Sequence, residues 1–142
     1  MSHWFFDTRW CATHGIGRFA TELRRRMRGL RPLEMQGSPT GLADSFRLAT
    51  HLRRVSALGY FSPGFNVPAW SRCPIITTIH DLIHVHFPAE CSAAKQAYYL
   101  LLQKRMIRDS PATLTVSEFS RQQIIDFYGL PSERVVCVGN GV

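Results

Sequence analysis

Ile75-Ile76-Thr77-Thr78-Ile79-His80-Asp81 is the stretch that decides how the rest of this chain reads. Its first five residues are all β-branched, the side-chain class that packs best on a pleated surface. The run is continuous and does not alternate apolar with polar, which predicts a central parallel strand covered on both faces. His80 and Asp81 then fall just past its carboxyl end. Working outward, the same kind of segment recurs. Trp4-Phe5-Phe6 is a short apolar run closed by Asp7, and Tyr60-Phe61 is a very short strand stopped by Ser62-Pro63-Gly64. Thr113-Leu114-Thr115-Val116 is a second buried strand, and Val135-Val136-Cys137-Val138 is the last.

Between these runs the spacing turns helical. After the permissive Gly15-Ile16-Gly17 turn, Phe19, Leu23, Met27 and Leu30 mark one stripe, with arginines mostly off it. Leu42, Phe46, Ala49, Leu52 and Val55 share a predicted face. Ser92 caps a predicted helix running to about Asp109, its stripe being Ala94, Ala97, Tyr98, Leu101 and Arg105 or Met106. Ser117 and Ser120 offer caps to a helix carrying Phe119, Ile124, Ile125 and Tyr128, which Gly129 ends. Residues 31–41 read as loop, and only Pro32-Leu33-Glu34-Met35 could serve as a further strand. Strands alternating with helices predict an α/β domain with a mainly parallel, doubly wound, Rossmann-like sheet. Ligands of such sheets sit beyond the carboxyl ends of the strands. Chemistry is therefore expected in Asp7 to Arg18, Ser62 to Asn66, His80-Asp81, Ser117-Glu118 and Asn140.

The chain has 142 residues, enough for one domain with a real core but not two. With 45% hydrophobic and 19% charged residues it is neither disordered nor collagenous. Lys plus Arg is 17 against 10 acids, a net charge of +7, which favours anionic partners: phosphates, nucleic acid or an acidic membrane surface. No apolar run is long enough to cross a membrane, and the aromatic start lacks the basic region of a secretory leader. Cys11, Cys73, Cys91 and Cys137 form no C-x-x-C pair and read as buried or incidental thiols in a reducing compartment. The cytoplasm is the expected setting.

Six segments, each at a strand end, carry a resemblance. They are Asp7-Thr8-Arg9; Gly15-Ile16-Gly17-Arg18-Phe19; Tyr60-Phe61-Ser62-Pro63-Gly64-Phe65-Asn66; Thr78-Ile79-His80-Asp81-Leu82-Ile83-His84; Thr115-Val116-Ser117-Glu118-Phe119-Ser120-Arg121; and Val138-Gly139-Asn140-Gly141-Val142. Over residues 4–23 and 59–142 the chain resembles the N-terminal domain of a retaining glycosyltransferase of the two-Rossmann-domain (GT-B) architecture, in the large family 4 that includes bacterial mannosyl- and glucosyltransferases. The resemblance implies that residues 1–142 are the acceptor-side half of an enzyme that moves a hexose from a nucleotide sugar to a saccharide or lipid-linked acceptor, as in polysaccharide biosynthesis. It implies no cofactor beyond the nucleotide-sugar substrate and no metal. Two departures stand out: the family's apolar second strand is hard to find, and the donor-binding C-terminal domain is not in this sequence. The 142 residues alone are therefore expected to be inactive, or to need a partner chain.

Each motif also has a plainer reading. Gly15-Ile16-Gly17 is either a simple turn or a loop whose backbone N–H groups approach a phosphate at a helix N-terminus. The resemblance sets this loop, with Arg18, against the donor diphosphate and the acceptor. His80 is either a hydrogen-bonded structural group or, as the resemblance implies, a contact to the donor sugar, acting through hydrogen bonding and electrostatics. Asp81 is expected to orient His80 or its loop. Ser62, Asn66, Ser117 and Glu118 are candidate cleft lining, with capping favoured for Ser117 and Ser120. His80, His84 and His86 have a spacing that could converge on a metal, but only Asp81 and Glu90 offer carboxylates nearby. Arg24, Arg25, Arg26, Arg28, Lys104, Arg105 and Arg108 are either a solvated surface or a peripheral contact with the inner face of a membrane. A non-catalytic remnant or partner-pairing domain, and a basic phosphate- or nucleic-acid-binding module, stand as rivals. Nucleic acid is not the expected partner, because no exposed aromatic run interleaves with the basic residues.

Overall fold

The structure, a computed structural model, describes residues 2–41, 43–82 and 92–139. Its strands are β1 (Trp4–Phe6), β2 (Arg31–Pro32), β3 (Gly59–Ser62), β4 (Ile75–Thr78), β5 (Ala112–Thr115) and β6 (Val135–Cys137). All pair in parallel in one six-stranded sheet, in the order β2-β1-β3-β4-β5-β6. The helices are α1 (Gly15–Arg26), α2 (Asp44–Arg54), α3 (Ala93–Ala97), α4 (Lys104–Arg108) and α5 (Glu118–Tyr128). A π-helical turn, Tyr98–Gln103, joins α3 to α4. The result is the expected doubly wound, Rossmann-like α/β sheet. β2 and β3 flank β1 on opposite sides, so the strand order reverses there, the place where sheets of this kind bind their ligands.

The missing second strand exists, but as two exposed residues at the sheet edge. Phe5 pairs with Arg31 and Phe6 with Pro32, and the Leu33 N–H then donates to the Phe6 carbonyl at 2.8 Å. Proline is tolerated there because an edge strand needs no donor on its outer side. Leu33 is buried and anchors this edge to the core.

Alternation along the strands separates two faces. Phe5, Tyr60 and Ile75 belong to the core packed by Leu48 and Leu52 of α2. Phe6 and Phe61 point the other way and stack, 5.4 Å between centroids. A second core joins Ile79, Ile107, Ile124, Tyr128 and Val135, and Met106 packs against both. Right-handed crossovers place α1 on the face opposite α2, because the chain moves from β1 to β2 in one direction and from β2 to β3 in the other.

Three predicted helix faces need correction. On α2 the buried residues are Asp44, Ser45, Leu48, Ala49 and Leu52, while Phe46 is 59% exposed. The predicted partner Leu42 lies outside the described residues. On the 92–109 segment Ala94, Ala97 and Leu101 are exposed, whereas Gln103 and Ile107 are buried. A π-helical turn interrupts the segment at Tyr98–Gln103, so its two α-helical parts do not share one constant period. On α5, Ile124 and Tyr128 are buried as expected, but Phe119 is 75% exposed.

Candidate functional site

Two groups of residues meet at the carboxyl edge, one on each face of the sheet. On the α1 side, the glycine turn opens the helix. His14 takes the N-cap position in an extended conformation and makes no side-chain bond to the first turn, so the N–H groups of that turn have no capping side chain. The two glycines are required for different reasons. Gly15 adopts φ +53°, and a Cβ there would meet nothing within 4 Å, so backbone conformation alone selects it. At Gly17 a Cβ would fall 2.3 Å from the Ala12 Cβ and 2.8 Å from the Ala12 backbone. The hydrogen that replaces that side chain lets residue 12 of the same loop pack against the helix, where the Ala12 N–H donates to the Gly17 carbonyl at 3.1 Å. Ile16 is half-buried and Arg18 is exposed.

His80 stands beside this turn. Its ring meets that of Phe19, two residues beyond Gly17, edge-on at 4.9 Å. The Ser120 hydroxyl donates to the His80 carbonyl at 3.1 Å, tying the β4 tip to α5. His80 Nε2 lies 3.1 Å from the Pro63 carbonyl. A carbonyl only accepts, so Nε2 carries the proton, and in the neutral ring Nδ1 presents a lone pair. Burial lowers the His80 pKa below the ordinary histidine value, against the Pro63 carbonyl and Asp81, which favour the charged form. His80 is thus a neutral hydrogen-bond acceptor at neutral pH, held from three sides. Asp81 is exposed next to it.

On the α2 side lies a cluster that sequence reading placed near the chemistry without seeing its internal connections. Asp7 is fully buried at the tip of β1. Arg9 Nε and Nη2 bond to its two carboxylate oxygens at 2.9 and 2.7 Å, and the Tyr60 hydroxyl and Asn66 Nδ2 donate to Oδ2 at 2.7 and 3.1 Å. The same guanidinium reaches Asp44, the first residue of α2, at 2.6 and 3.1 Å. Trp10 Nε1 and the Ser62 hydroxyl donate to Asn66 Oδ1, while the Gly64 N–H donates to Ser62 Oγ at 3.1 Å. Burial pushes the Asp7 carboxyl up, but Arg9, Tyr60 and Asn66 together outweigh it and hold the group below its usual range. The Tyr60 hydroxyl is driven well above its usual value by burial and by Asp7.

Ser62 and Asn66 therefore do not line an open cleft. They are buried within this cluster and shape the 62–66 loop from beneath, helped by Gln103, whose side chain donates to the Phe65 carbonyl at 2.6 Å and accepts from the Tyr128 hydroxyl at 2.9 Å. Ser117 is the N-cap of α5, accepting from the Ser120 N–H at 3.1 Å. Ser120 does not cap; its hydroxyl is spent on the His80 carbonyl. Glu118 is exposed and pairs with Arg121 at 2.8 Å. Asn140, His84, His86, Glu90 and Cys91 lie outside the described residues. Among the described residues no group of three His, Cys, Asp or Glu is placed to hold a metal. Of the predicted basic surface, Lys104 lies over the Phe127 ring at 4.9 Å and Arg108 donates to the Tyr128 carbonyl at 3.1 Å. Arg25 pairs with Glu22. No described helix is long and apolar enough to cross a membrane.

Asp44 and Gln103 were not singled out from the sequence, and Tyr60 and Trp10 entered only as parts of strand-end stretches. Asp44 reads locally as an acid favouring a helix N-terminus, and Gln103, four residues before the buried Ile107, is a polar residue on the buried side of its helix. The parallel sheet, the reversal beside β1 and the polar residues gathered at its carboxyl edge define a Rossmann-like α/β domain. Comparison with known families makes that class specific. The sequence profile of Glycosyltransferase Family 4 matches residues 6–142, and the chain belongs to that family, as its N-terminal domain. No curated protein matches the chain.

Proposed function

We propose that this domain forms the acceptor side of a retaining glycosyltransferase that moves a hexose of the mannose or glucose type from a nucleotide sugar to a saccharide or lipid-linked acceptor. The observation that carries the reading is the contact between Phe19 and His80, which sets the uncapped first turn of α1 beside the β4 tip at one edge of the sheet. In this reading the N–H groups of Gly15, Ile16 and Gly17 lie against the donor diphosphate, where a helix N-terminus favours negative charge, and Arg18 adds a cation from the exposed side. His80 accepts a hydrogen bond at Nδ1 from a donor-sugar hydroxyl, and its Nε2 stays with Pro63. Preorganised dipoles of this kind stabilise charge that develops on the leaving phosphate without reorganising. Asp81 bounds the sugar side, and Ser117 and Glu118 stand at the β5 tip. A donor-binding domain, from the same polypeptide or another chain, closes over this edge. The 142 residues by themselves do not transfer sugar.

The test is titration of the isotope-labelled 142-residue chain with nucleoside diphosphate hexoses up to millimolar concentration. Amide shifts concentrated in residues 15–18, with a change at the His80 ring, are expected. Shifts confined to other parts of the molecule, or none, would overturn the assignment.

A further inference from the structure

The carbonyls of Ser62, Pro63, Gly64 and Phe65 each accept from a different group. The Thr78 hydroxyl donates to Ser62 at 3.2 Å, His80 Nε2 to Pro63 at 3.1 Å, the Thr78 N–H to Gly64 at 3.2 Å and Gln103 Nε2 to Phe65 at 2.6 Å. Thr78 and His80 belong to β4 or its continuation, and β4 already pairs with β3. Gln103 comes from elsewhere. It is the last residue of the π-helical turn, lies 38 positions from Phe65 and is 0% exposed. Burying an amide costs stability unless its polar atoms find partners. Here both ends are bonded. A carbonyl only accepts, so Nε2 faces Phe65, and Oε1 takes the Tyr128 hydroxyl at 2.9 Å. Tyr128 is itself fully buried on α5, so the amide is fixed in orientation between that helix and the loop.

A methionine or leucine of similar volume would fill this place beside Ile107, Ile124 and Tyr128 without needing any bond. Packing alone therefore does not call for a glutamine. The place where its donor is delivered does. Phe65 is two residues from Pro63, whose carbonyl sets the His80 tautomer, and a segment that short has little freedom once both ends are held. π-helical turns are rare and recur at functional sites. We propose that Gln103 is a positioning residue for His80: by holding the Phe65 carbonyl it fixes the Pro63 carbonyl, which keeps the ring proton on Nε2 and leaves the Nδ1 lone pair free at the carboxyl edge. The use of that lone pair by a donor sugar rests on the function proposed above. The coupling between Gln103 and His80 does not.

The experiment follows the His80 ring proton and the Gln103 side-chain amide by hydrogen exchange in the isotope-labelled 142-residue chain, comparing the unaltered protein with Q103M and I107V. Methionine matches glutamine in length and donates nothing. I107V trims one methyl group from the same core and removes packing only. In the unaltered chain the His80 Nε2 proton and a Gln103 amide proton should both be protected. In Q103M the His80 proton should exchange about five-fold faster, the factor that one ordinary hydrogen bond is worth, with amide shifts in residues 63–66. I107V should destabilise the fold and leave the His80 exchange rate as it was. Circular dichroism checks that each variant is folded. A freely exchanging Gln103 amide in the unaltered chain, a reading that needs no variant, would overturn the proposal. So would unchanged His80 exchange in Q103M, or equal acceleration in I107V, which would make general loosening of the core sufficient. Should the unaltered chain give no response to nucleoside diphosphate hexoses, the glycosyl-transfer reading falls while the exchange rates still decide the role of Gln103.

Discussion

Replacing Arg9 with alanine exposes the central energetic feature of the molecule. The guanidinium is held between two carboxylates, with 7% of its own side chain exposed, none of Asp7 and 3% of Asp44. Deleting one partner of a buried ion pair costs about 3–5 kcal/mol because an uncompensated charge stays behind. Here one deletion strands two charges, so the expected loss at pH 7.5 is near the upper end, about 5 kcal/mol. Against a total stability of about 5–15 kcal/mol this is severe, and it lowers Tm by roughly 15–25 °C for a chain of this size. The pH dependence separates lost charge from lost packing. In the intact protein the folded Asp7 pKa lies below its unfolded value, so its contribution is present above the unfolded pKa and is lost as pH falls through the folded one. Without Arg9, burial is no longer outweighed and the Asp7 pKa rises above the unfolded value. The sign then reverses: folding takes up a proton, and the variant gains stability as pH falls through the raised pKa. The deficit relative to the intact protein must therefore shrink between pH 7.5 and 5. Adding D7N to R9A removes one stranded charge and should restore about 2 kcal/mol. Urea unfolding followed by far-ultraviolet circular dichroism at the two pH values measures all of this. A deficit below about 1 kcal/mol, or one that is the same at both pH values, would refute the clamp.

The two glycines of the α1 turn should respond differently to alanine. G17A forces a Cβ into Ala12 and should cost about 2–3 kcal/mol, with shifts in the amide signals of residues 11–13. G15A strains only its own backbone, costs about 1–2 kcal/mol and leaves those signals in place; equal effects on both would contradict the packing reason. S117A should lose about 1 kcal/mol by uncapping α5, and S117G only a few tenths; thermal unfolding measures both, and an S117A loss within error of zero would count against the cap. His80 should titrate below 6.5 and show the Nε2-protonated tautomer at pH 7.5 in long-range ¹H–¹⁵N spectra. Because its folded pKa is depressed, the unfolded chain binds more protons between the two values, and stability falls as pH drops below about 6.5. An Nδ1-protonated ring would sink the assignment to Pro63.

Much of the fold was legible because parallel strands buried on both faces leave an unmistakable mark. Ile75–Thr78 and Ala112–Thr115 lie within a residue of where their β-branched runs placed them. The Ser117 cap and the left-handed Gly129 at the end of α5 were equally readable, since each satisfies a local geometric need. What failed was anything set by distant partners. β2 is two residues long because a single edge pairing with β1 suffices, and no periodicity can announce so short a strand. Phe46 fits a helical stripe on paper, yet the sheet-facing side of α2 is fixed by Asp44, whose bond to Arg9 spans 35 positions. The 92–109 stripe missed Gln103 and Ile107, which lie on the buried side at and beyond a π-helical turn that changes the angular period midway.

The same long-range pairing accounts for how the candidate site divides. Asp7 follows Phe6 in an extended conformation, so its side chain falls on the same face as Phe5 and Tyr60, under α2. His80 follows Ile79 in β4's continuation and falls on the opposite face, beside Phe19 of α1. Asp7 and His80 both sit at strand tips, yet alternation gives one to the interior and the other to the crevice. The interior group has every polar side chain bonded within the protein, and the two strands it ties together, β1 and β3, form the walls of the switch point. The loop carrying Gly15–Gly17 starts from Arg9 and Trp10, both held by that group. Disrupting Arg9 short of unfolding should therefore disturb the α1 turn and the 62–66 loop before it disturbs α5. Hydrogen exchange on a milder variant, R9K, would read this order directly, because a lysine keeps the charge but cannot serve both carboxylates with a planar fork. Faster exchange at residues 15–18 and 63–66 with α5 unchanged is expected; uniform acceleration across the domain would mean that the cluster supports the whole fold and not the crevice in particular.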